Sequence, residues 1–272
     1  MSLVISSAVV LAEAADGLSL DHPVIGWHNV VTSTTISADT EETNYPASNL
    51  ANPATHLEWR AEDTTEQYLT ITTNYIDPID YVAVARHNFS SGAIPVSIGY
   101  FDTSSPPVWI ELVEEVMLPD DGPALFRFDA ESLSTVMIKL AAGDDPARAA
   151  VVYVGKLLVL ERKIYVGHTP MPDGIKTNVA NGRSETGNFL GRIVLGQWRE
   201  STVPLSLISP SWFRTYMRPF LRDGRDLPFF FAWRPLTYNM EVGFGWLTED
   251  PAPAPVGPHN LIAFDLKVSG VA

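Results

Sequence analysis

Apolar and polar residues alternate with a period of two along much of this chain, which is the pattern of half-buried β-strands. Residues 67–73 and 109–117 show the alternation clearly. Residues 81–85 and 149–160 are apolar at almost every position, as expected for strands in the core of a β-sandwich. The pattern predicts strands over residues 3–11, 67–71, 79–84, 96–101, 109–117, 124–128, 135–140, 149–160, 189–195, 203–207, 227–233, 241–247 and 261–268.

Turn-forming residues separate many of these strands, which follow one another at intervals of about ten residues. The segments Pro119–Gly122 and Gly143–Pro146 combine proline, glycine and aspartate, each of which favours a tight turn. Helical segments do not alternate with the strands, so we do not expect a parallel α/β sheet. We therefore predict an all-β fold, a β-sandwich followed by a second β-rich domain with one flanking helix.

The first predicted strand, Leu3–Leu11, has an alternative interpretation as the apolar part of a signal peptide. Ala14 and Ala15 follow it, and small residues of this kind occur at cleavage sites. However, no Lys or Arg precedes Arg60, so the positive segment of a signal peptide is missing. We favour the strand. No segment approaches the ~20 apolar residues of a membrane-spanning helix, and we expect no membrane insertion.

The predicted helix covers residues 209–223, where apolar residues recur with the 3.6-residue period. Ser209 is placed to cap its N-terminus, and Pro210 can occupy the first turn, where a missing N–H costs nothing. Gly224 is placed to end it in the left-handed conformation, and Pro219 predicts a bend. The predicted apolar face consists of Phe213, Tyr216, Met217, Phe220 and Leu221, and a basic row of Arg214, Arg218 and Arg222 lies on another face.

Charge is distributed unevenly along the 272 residues, whose net charge is −14. Residues 1–165 hold 23 acidic against 8 basic side chains, whereas residues 166–272 hold 9 against 10. This shift predicts two domains, 1–165 and 166–272, with a boundary in the segment Glu161–Gly174, which is rich in Gly and Pro. An acidic surface repels phosphates, so we expect no nucleic-acid partner. Solubility alone is the alternative explanation of the acidity.

The first domain, about residues 25–163, resembles discoidin-like, galactose-binding-like β-sandwiches. The resemblance rests on the turn Ala47–Leu50, on Trp59, on the paired strands 67–71 and 79–84, and on Trp109 at the start of a strand. It implies a recognition or assembly module. Sugar binding uses an exposed aromatic residue with hydrogen-bonding neighbours, and Trp59, Arg86, His87 and Asn88 are candidate glycan contacts because they lie near strand ends. The alternative for Trp59 is a place in the core, as is common in this fold.

The second domain resembles the C-terminal portion of tail proteins from long-tailed bacteriophages, a family that includes distal tail and tail-tip proteins. The resembling features are the aromatic helix, the segment 228–233, the glycine-aromatic strand 241–247 and the closing strand 263–270. The resemblance implies a structural protein of the virion tail tip or baseplate, made in the host cytoplasm. It implies a ring homo-oligomer, expected to be a hexamer, that contacts the tube and hub proteins of the tail and a host surface glycan.

Candidate subunit contacts lie in this second domain: Trp212, Arg214, Arg218, Arg222, Phe230 and Trp233. The basic row can pair with acidic surface on a neighbouring copy, and the alternative is a solvated helix face. Exposed ion pairs contribute only ~0–1 kcal/mol each, so burial of the aromatic residues must supply most of the assembly energy.

Catalytic and metal-binding patterns are missing from the sequence. It contains no Gly-x-Ser-x-Gly, no phosphate-binding loop, no His-Glu-x-x-His and no cysteine. Its six histidines lack the spacing of metal ligands. We predict no enzyme, no cofactor and no metal site. Binding of a calcium ion by turn carboxylates such as Asp120 and Asp121 remains an alternative. Besides the tail-tip protein, a secreted carbohydrate-binding protein and, less favoured, a glycan-degrading tail enzyme remain as alternatives.

Overall fold

The computed structural model describes residues 2–10, 20–73, 78–257 and 260–271, and these are mostly β-structure. The first sheet has four strands in the order β1 (Ser2–Ile5), β9 (Ala124–Glu131), β6 (Ile79–Ala85) and β12 (Val151–Gly155). The second has five, in the order β3 (Ile36–Ala38), β5 (Gln67–Thr72), β10 (Thr135–Leu140), β7 (Val96–Phe101) and β8 (Trp109–Val116). A small pair joins β4 (Trp59–Arg60) to β11 (Arg148–Ala149).

These two larger sheets pack face to face and form a β-sandwich. Leu69 and Ile138 from the five-stranded sheet share one hydrophobic core with Val82, Phe126 and Val152 from the four-stranded sheet. The strict alternation of buried and half-buried residues along β5 follows because only one face of its sheet meets the core. The prediction of a β-sandwich in the first half of the chain is therefore confirmed.

The third large sheet has eight strands and lies behind the four-stranded one. Its order is β13 (Leu158–Val159), β2 (Val24–Gly26), β16 (Phe229–Ala232), β17 (Val242–Leu247), β19 (Leu261–Val271), β15 (Phe189–Ile208) and β14 (Ile175–Arg183), with β18 (Ala254–Val256) also on β19. Phe230 and Phe244 from this sheet share a core with Tyr81, Leu125 and Tyr153. The four-stranded sheet is thus buried on both faces, which explains the uniformly apolar strands β6 and β12.

The predicted division at residue 165 stays a prediction, and strand pairing joins the two parts of the chain. Strands β2 and β13 come from the first part of the sequence but pair within the sheet of the second part. Asp21 makes a further connection, since its carboxylate accepts from the Arg234 guanidinium at 2.8 Å and from the Thr237 N–H at 3.0 Å.

The predicted helix is present as one helical segment, here called α1, that packs on the outer face of the eight-stranded sheet. It runs as α-helix over Pro210–Trp212, as π-helix over Phe213–Met217 and again as α-helix over Arg218–Asp223. Ser209 caps it as predicted, because its hydroxyl accepts from the Trp212 N–H. Two 3₁₀ turns, Ala47–Ala51 and Met171–Asp173, complete the helical structure of the described residues apart from residues 7–10.

Two details of the helix prediction are wrong. Tyr216 is 55% exposed, because the π-helical turn changes the rotation of the residues around it, and Phe213, Met217 and Phe220 form the buried face. Gly224 has a φ of −92° and is not left-handed. Its lack of a side chain has a packing reason instead, since a Cβ there would stand 2.8 Å from the Phe220 ring and 3.0 Å from Trp27.

Two predicted strands are shorter than expected. The strand predicted over Leu3–Leu11 ends at Ile5, because the Ser6 hydroxyl and carbonyl accept the N–H groups of Val9 and Val10 and start a helical turn. Leu11 lies outside the described residues. The run 149–160 is divided into three strands, and the middle one ends at Gly155. A Cβ at Gly155 would stand 2.2 Å from the His28 carbonyl oxygen, so only glycine fits there. Among the described helices, none has the length and apolarity to cross a membrane.

Candidate functional site

The predicted glycan contacts lie near a groove at one end of the sandwich, here called the loop groove. It has a volume of about 510 Å³ and is lined by Glu42, Thr43, Arg60, Ala61, Glu62, Asn88, Asp145, Pro146 and Arg148. Trp59 is fully buried beside it, and its indole N–H donates to the Thr40 carbonyl at 3.0 Å. The Trp59 ring is therefore a core group that a glycan cannot reach in this structure, as the alternative interpretation held.

Residues 86–88 divide into one exposed and two buried side chains. Arg86 is exposed, with a φ of 57°. His87 is buried and stacks on Phe89 with ring centroids 4.5 Å apart, and burial lowers its pKa to about 4. Asn88 is also buried. Its amide donates to the Pro146 carbonyl at 2.9 Å and accepts from the Arg148 N–H at 2.9 Å. The structure does not bring these three side chains together at one surface.

The loop groove itself is polar, and two of the charged side chains that line it, Arg60 and Glu42, form an ion pair. The Arg60 guanidinium contacts the carboxylates of Glu42 and Glu58 and lies 3.9 Å above the Tyr45 ring. Arg60 is therefore already engaged within the chain. The turn Ala47–Leu50 and Trp59 contribute to the hydrophobic core of the sandwich.

A second cavity, here called the junction pocket, lies between helix α1 and the two parts of the chain. It has a volume of about 640 Å³, and aromatic and aliphatic side chains dominate its walls: Trp27, His28, Pro78, Asp80, Lys156, Leu157, Leu158, Val159, Trp212, Thr215, Tyr216 and Pro219. The Trp212 and Tyr216 rings lie 5.8 Å apart, and the Trp27 ring lies 5.9 Å from Phe220. Apolar walls with a few polar groups are typical of ligand pockets.

The junction pocket offers hydrogen-bonding groups of both kinds. Among the described residues, the half-buried indole N–H groups of Trp27 and Trp212 find no acceptor. The Asp80 carboxylate accepts from the Leu157 N–H at 2.7 Å through one oxygen, and burial raises its pKa to about 6. A neutral molecule with both hydroxyl groups and an apolar face fits this combination. The sequence pattern does not reveal this pocket, because its walls come from four distant segments.

The predicted subunit contacts are distributed between the surface and the core. Arg214, Arg218 and Arg222 are exposed, and the Arg222 guanidinium pairs with its neighbour Asp223 at 2.6 Å. Trp212 is half-buried in the junction pocket. The exposed positions stay candidates for subunit contact.

Phe230 is the predicted contact that the structure contradicts. It is fully buried, and its ring packs against Tyr153 at 5.5 Å and against Phe244 at 4.7 Å. Its surface is therefore used within one chain, because strand β16 is covered by the four-stranded sheet. Trp233 is half-buried and stacks on Tyr238, with ring centroids 5.2 Å apart.

A long β-hairpin extends beyond the eight-stranded sheet, and we call residues 175–198 the arm. Strand β15 pairs with β19 only from Arg199 onward, so its first half pairs with β14 alone. Large apolar side chains of the arm are 42–69% exposed: Ile175, Phe189, Leu190, Ile193, Val194, Leu195 and Trp198. The sequence pattern predicted a strand over residues 189–195 but none over 175–183, and it could not show that the described residues leave both faces of the arm uncovered.

The end strand of the five-stranded sheet, β8, and the residues at its beginning carry exposed apolar side chains together with the exposed acids Glu111 and Glu115. We call this surface the acidic edge. Phe101, Val108 and Ile110 are 36–52% exposed there. Glu111 and Glu115, on the same strand, are exposed and form no ion pair within the described residues. The Phe101 ring lies 5.3 Å from Trp109 and 5.7 Å from Tyr68.

Metal binding finds no support in the described part of the chain, where no three His, Asp or Glu side chains come together as metal ligands. The Asp121 carboxylate, one of the turn acids considered for calcium, accepts the N–H groups of Ser90 and Ser91 at 2.9 and 3.0 Å. Burial opposes its ionisation, but these hydrogen bonds prevail and lower its pKa. His259 lies outside the described residues.

Comparison with known proteins gives structural likeness alone, since no family model and no curated protein matches. A chitosan-binding module of a chitosanase/glucanase from Paenibacillus sp. is 14% identical, with a TM-score of 0.40 over 47% of this chain and 98% of the module. The family 32 CBM from C. perfringens NanJ, solved with galactose, is 18% identical, with a TM-score of 0.39 over 46% of this chain and 97% of the module. A Streptococcus pneumoniae fucose binding module is 13% identical, with a TM-score of 0.39 over 48% and 96%.

These neighbours are carbohydrate-binding modules by their names. At such low identity and TM-score we transfer no binding property from them to this chain. The all-β fold stands on the sheets described above.

Proposed function

We propose that this protein is a non-catalytic building block that assembles with copies of itself. The exposed arm is the observation that carries the proposal. An isolated two-stranded hairpin is at best marginally stable in water, and exposed apolar patches of this kind mark interaction sites. Burial against another polypeptide stabilises the hairpin and removes its apolar side chains from water.

Electrostatics supports a second copy of this chain as the partner. The arm holds Lys176, Arg183 and Arg192 against the single acid Glu185. The first 165 residues, by contrast, carry 23 acidic against 8 basic side chains. A basic arm is attracted to an acidic copy and not to another arm, so the contact joins two different surfaces. Such head-to-tail contacts produce a ring or a filament.

The place we propose for this building block is the tail tip or baseplate of a long-tailed phage, as a ring of six copies. This finer proposal rests on the sequence resemblance of residues 166–272 and on the assembly argument. It includes contacts with tube and hub proteins of the tail, and the virion as its location.

Light scattering of the purified chain tests the assembly. We expect a mass several times the 29.9 kDa of one chain. The double variant Leu190→Ser/Val194→Ser should reduce the mass to that of a monomer while the circular dichroism spectrum is kept. Leu236→Ser/Val256→Ser is the matched control, because these side chains are 58% and 54% exposed but lie outside the arm. A monomeric wild-type chain at micromolar concentration would refute the proposal.

Carbohydrate recognition is the second candidate function, and the junction pocket favours it. The rings of Trp212 and Tyr216 can stack on the apolar face of a sugar, and the two unpaired indole N–H groups can donate to its oxygens. Asp80 supplies an acceptor for a hydroxyl group. This function is compatible with assembly, since the pocket and the arm share no residue.

A screen of soluble polysaccharides by tryptophan fluorescence, followed by calorimetry, tests this second function. Trp212→Ala should weaken binding at least about tenfold, as expected when a stacked ring is lost from a binding site. Trp246→Ala is the control, because that indole is 43% exposed away from the pocket. Failure of every polysaccharide to bind would exclude carbohydrate recognition, and equal effects of the two variants would exclude this pocket.

A further inference from the structure

We infer that the arm of one copy binds along the acidic edge of the next copy. The inference rests on the proposed self-assembly and adds the surface that receives the arm. Both surfaces are exposed on the same chain, both are apolar, and their charges are opposite.

The arm presents its positive charge close to its tip. Arg183 and Arg192 are exposed and form no ion pair within the described residues. They lie on adjacent strands, since Arg192 pairs with Asn181 and Arg183 pairs with Phe189 across the hairpin. Two basic groups near the base of the arm are already engaged, because Lys176 pairs with Glu200 and Arg199 donates to the Pro172 carbonyl. The distal pair is therefore available for a partner.

The acidic edge presents the complementary groups. Glu111 and Glu115 lie four positions apart on β8. Val108 and Ile110 lie at its beginning, and Phe101 on β7 pairs with Trp109. Ion pairs across this contact fix the register, and apolar burial of Leu190, Ile193 and Val194 supplies the larger part of the free energy.

Backbone geometry adds a third match. Strand β8 ends the order of the five-stranded sheet, and strand β14 ends that of the eight-stranded sheet. Each leaves one row of N–H and C=O groups without a strand partner in the described residues. Such edges pair readily with a strand from another chain. Charged residues on an edge also serve to prevent pairing, and a copy with the same acidic edge is repelled. A basic arm meets no such barrier.

Charge reversal and mixing test this inference. Arg183→Glu/Arg192→Glu changes the arm, and Glu111→Lys/Glu115→Lys changes the acidic edge. We expect each double variant alone to weaken assembly about tenfold or more at low ionic strength, because charge pairs across an interface become repulsive. An equimolar mixture of the two should assemble again, since every contact in an alternating assembly then pairs opposite charges. Arg86→Glu and Glu41→Lys are controls at exposed sites outside both surfaces.

A crosslink gives an independent readout, because the chain has no cysteine of its own. A chain with Leu190→Cys and a chain with Ile110→Cys should form a mixed disulfide dimer under mild oxidation. A pair with Leu236→Cys in place of Ile110→Cys should not. If the edge variants assemble normally while Leu190→Ser/Val194→Ser is monomeric, the arm binds elsewhere and this inference is wrong, although self-assembly stands. If the arm variant also assembles normally, the proposed function itself fails.

Discussion

The Tyr153 ring meets the Phe230 ring edge-on, with centroids 5.5 Å apart and planes inclined by 71°. The Tyr153 hydroxyl donates to the Pro228 carbonyl at 3.1 Å, and burial raises its pKa to about 12. One residue lies in the four-stranded sheet and the other in the eight-stranded sheet. This contact therefore joins the two halves of the chain, and it occupies an aromatic residue that the sequence suggested for contacts between copies.

Phe230→Ala should destabilise the chain by about 3–5 kcal/mol, because it leaves a cavity between two packed sheets. Urea unfolding followed by tryptophan fluorescence measures the change. Phe189→Ala is the matched control, since Phe189 is 67% exposed on the arm, and its removal should change the free energy of unfolding by less than about 1 kcal/mol. Equal effects of the two substitutions would mean that Phe230 is not a core residue.

His87 should make stability depend on pH. Its pKa is about 4 in the folded chain, lowered chiefly by burial from an ordinary value of 6.5. The unfolded chain therefore binds a proton at His87 below pH 6.5 that the folded chain does not bind, so the contribution of His87 to stability decreases as pH falls from 6.5 to 4 and is constant above 6.5. The loss reaches about 3 kcal/mol at the acid end, from about 1.4 kcal/mol per pH unit. Asp80 contributes in the opposite direction, because its pKa is raised by burial to about 6.

Urea midpoints of wild type and His87→Gln between pH 4 and 8 measure this dependence. The difference in the free energy of unfolding between the two proteins should change by about 3 kcal/mol between pH 6.5 and pH 4, from about 1.4 kcal/mol per pH unit. His56→Gln, at an exposed position, should leave the curve unchanged. An unaltered pH profile in His87→Gln would contradict the assignment of a buried, neutral imidazole.

Asp21 should stabilise the chain above its ordinary pKa. Burial by itself raises the pKa of this carboxyl, but hydrogen bonds from Thr237 and Arg234 outweigh burial and lower it below 3.8. A lowered pKa contributes stability that is present above pH 3.8 and is lost as pH falls through the folded value. Asp21→Asn should cost about 1–3 kcal/mol at pH 7, because the Arg234 guanidinium, 2.8 Å away, loses its anionic partner.

Thermal unfolding at pH 7 and pH 3 checks this prediction. The difference between wild type and Asp21→Asn should shrink at pH 3. Asp226→Asn is the control, because its side chain is 84% exposed. A constant difference at both pH values would mean that the lost stability does not come from the carboxylate charge.

Arg218→Glu should weaken oligomerisation without unfolding the protein if the basic row of α1 contacts a neighbouring copy. The row is exposed, as this hypothesis requires, and the arm now offers a competing contact. Sedimentation velocity of Arg218→Glu beside Arg183→Glu/Arg192→Glu separates the two. Normal assembly of Arg218→Glu would leave the row as a solvated helix face.

Local patterns predicted the elements better than their surroundings. Strand β10 occupies the predicted residues 135–140, because alternation and adjacent turn residues define both of its ends. The helix began at its predicted cap, but Tyr216 and Gly224 differed, since a π-helical turn and the approach of Trp27 depend on packing. The candidate glycan residues Trp59, His87 and Asn88 proved buried, because sequence cannot tell an aromatic or polar residue in the core from one at a surface.

The sequence by itself determined that the chain is all-β, where most strands lie and where its helix begins, because these depend on periodicity and on residues close together in the chain. Only the tertiary structure decided which apolar residues are covered. It buried Phe230 between two sheets, left the arm exposed and assembled the junction pocket from distant segments. The physical reason is that burial depends on which sheets face each other, and residues far apart in sequence make that choice together.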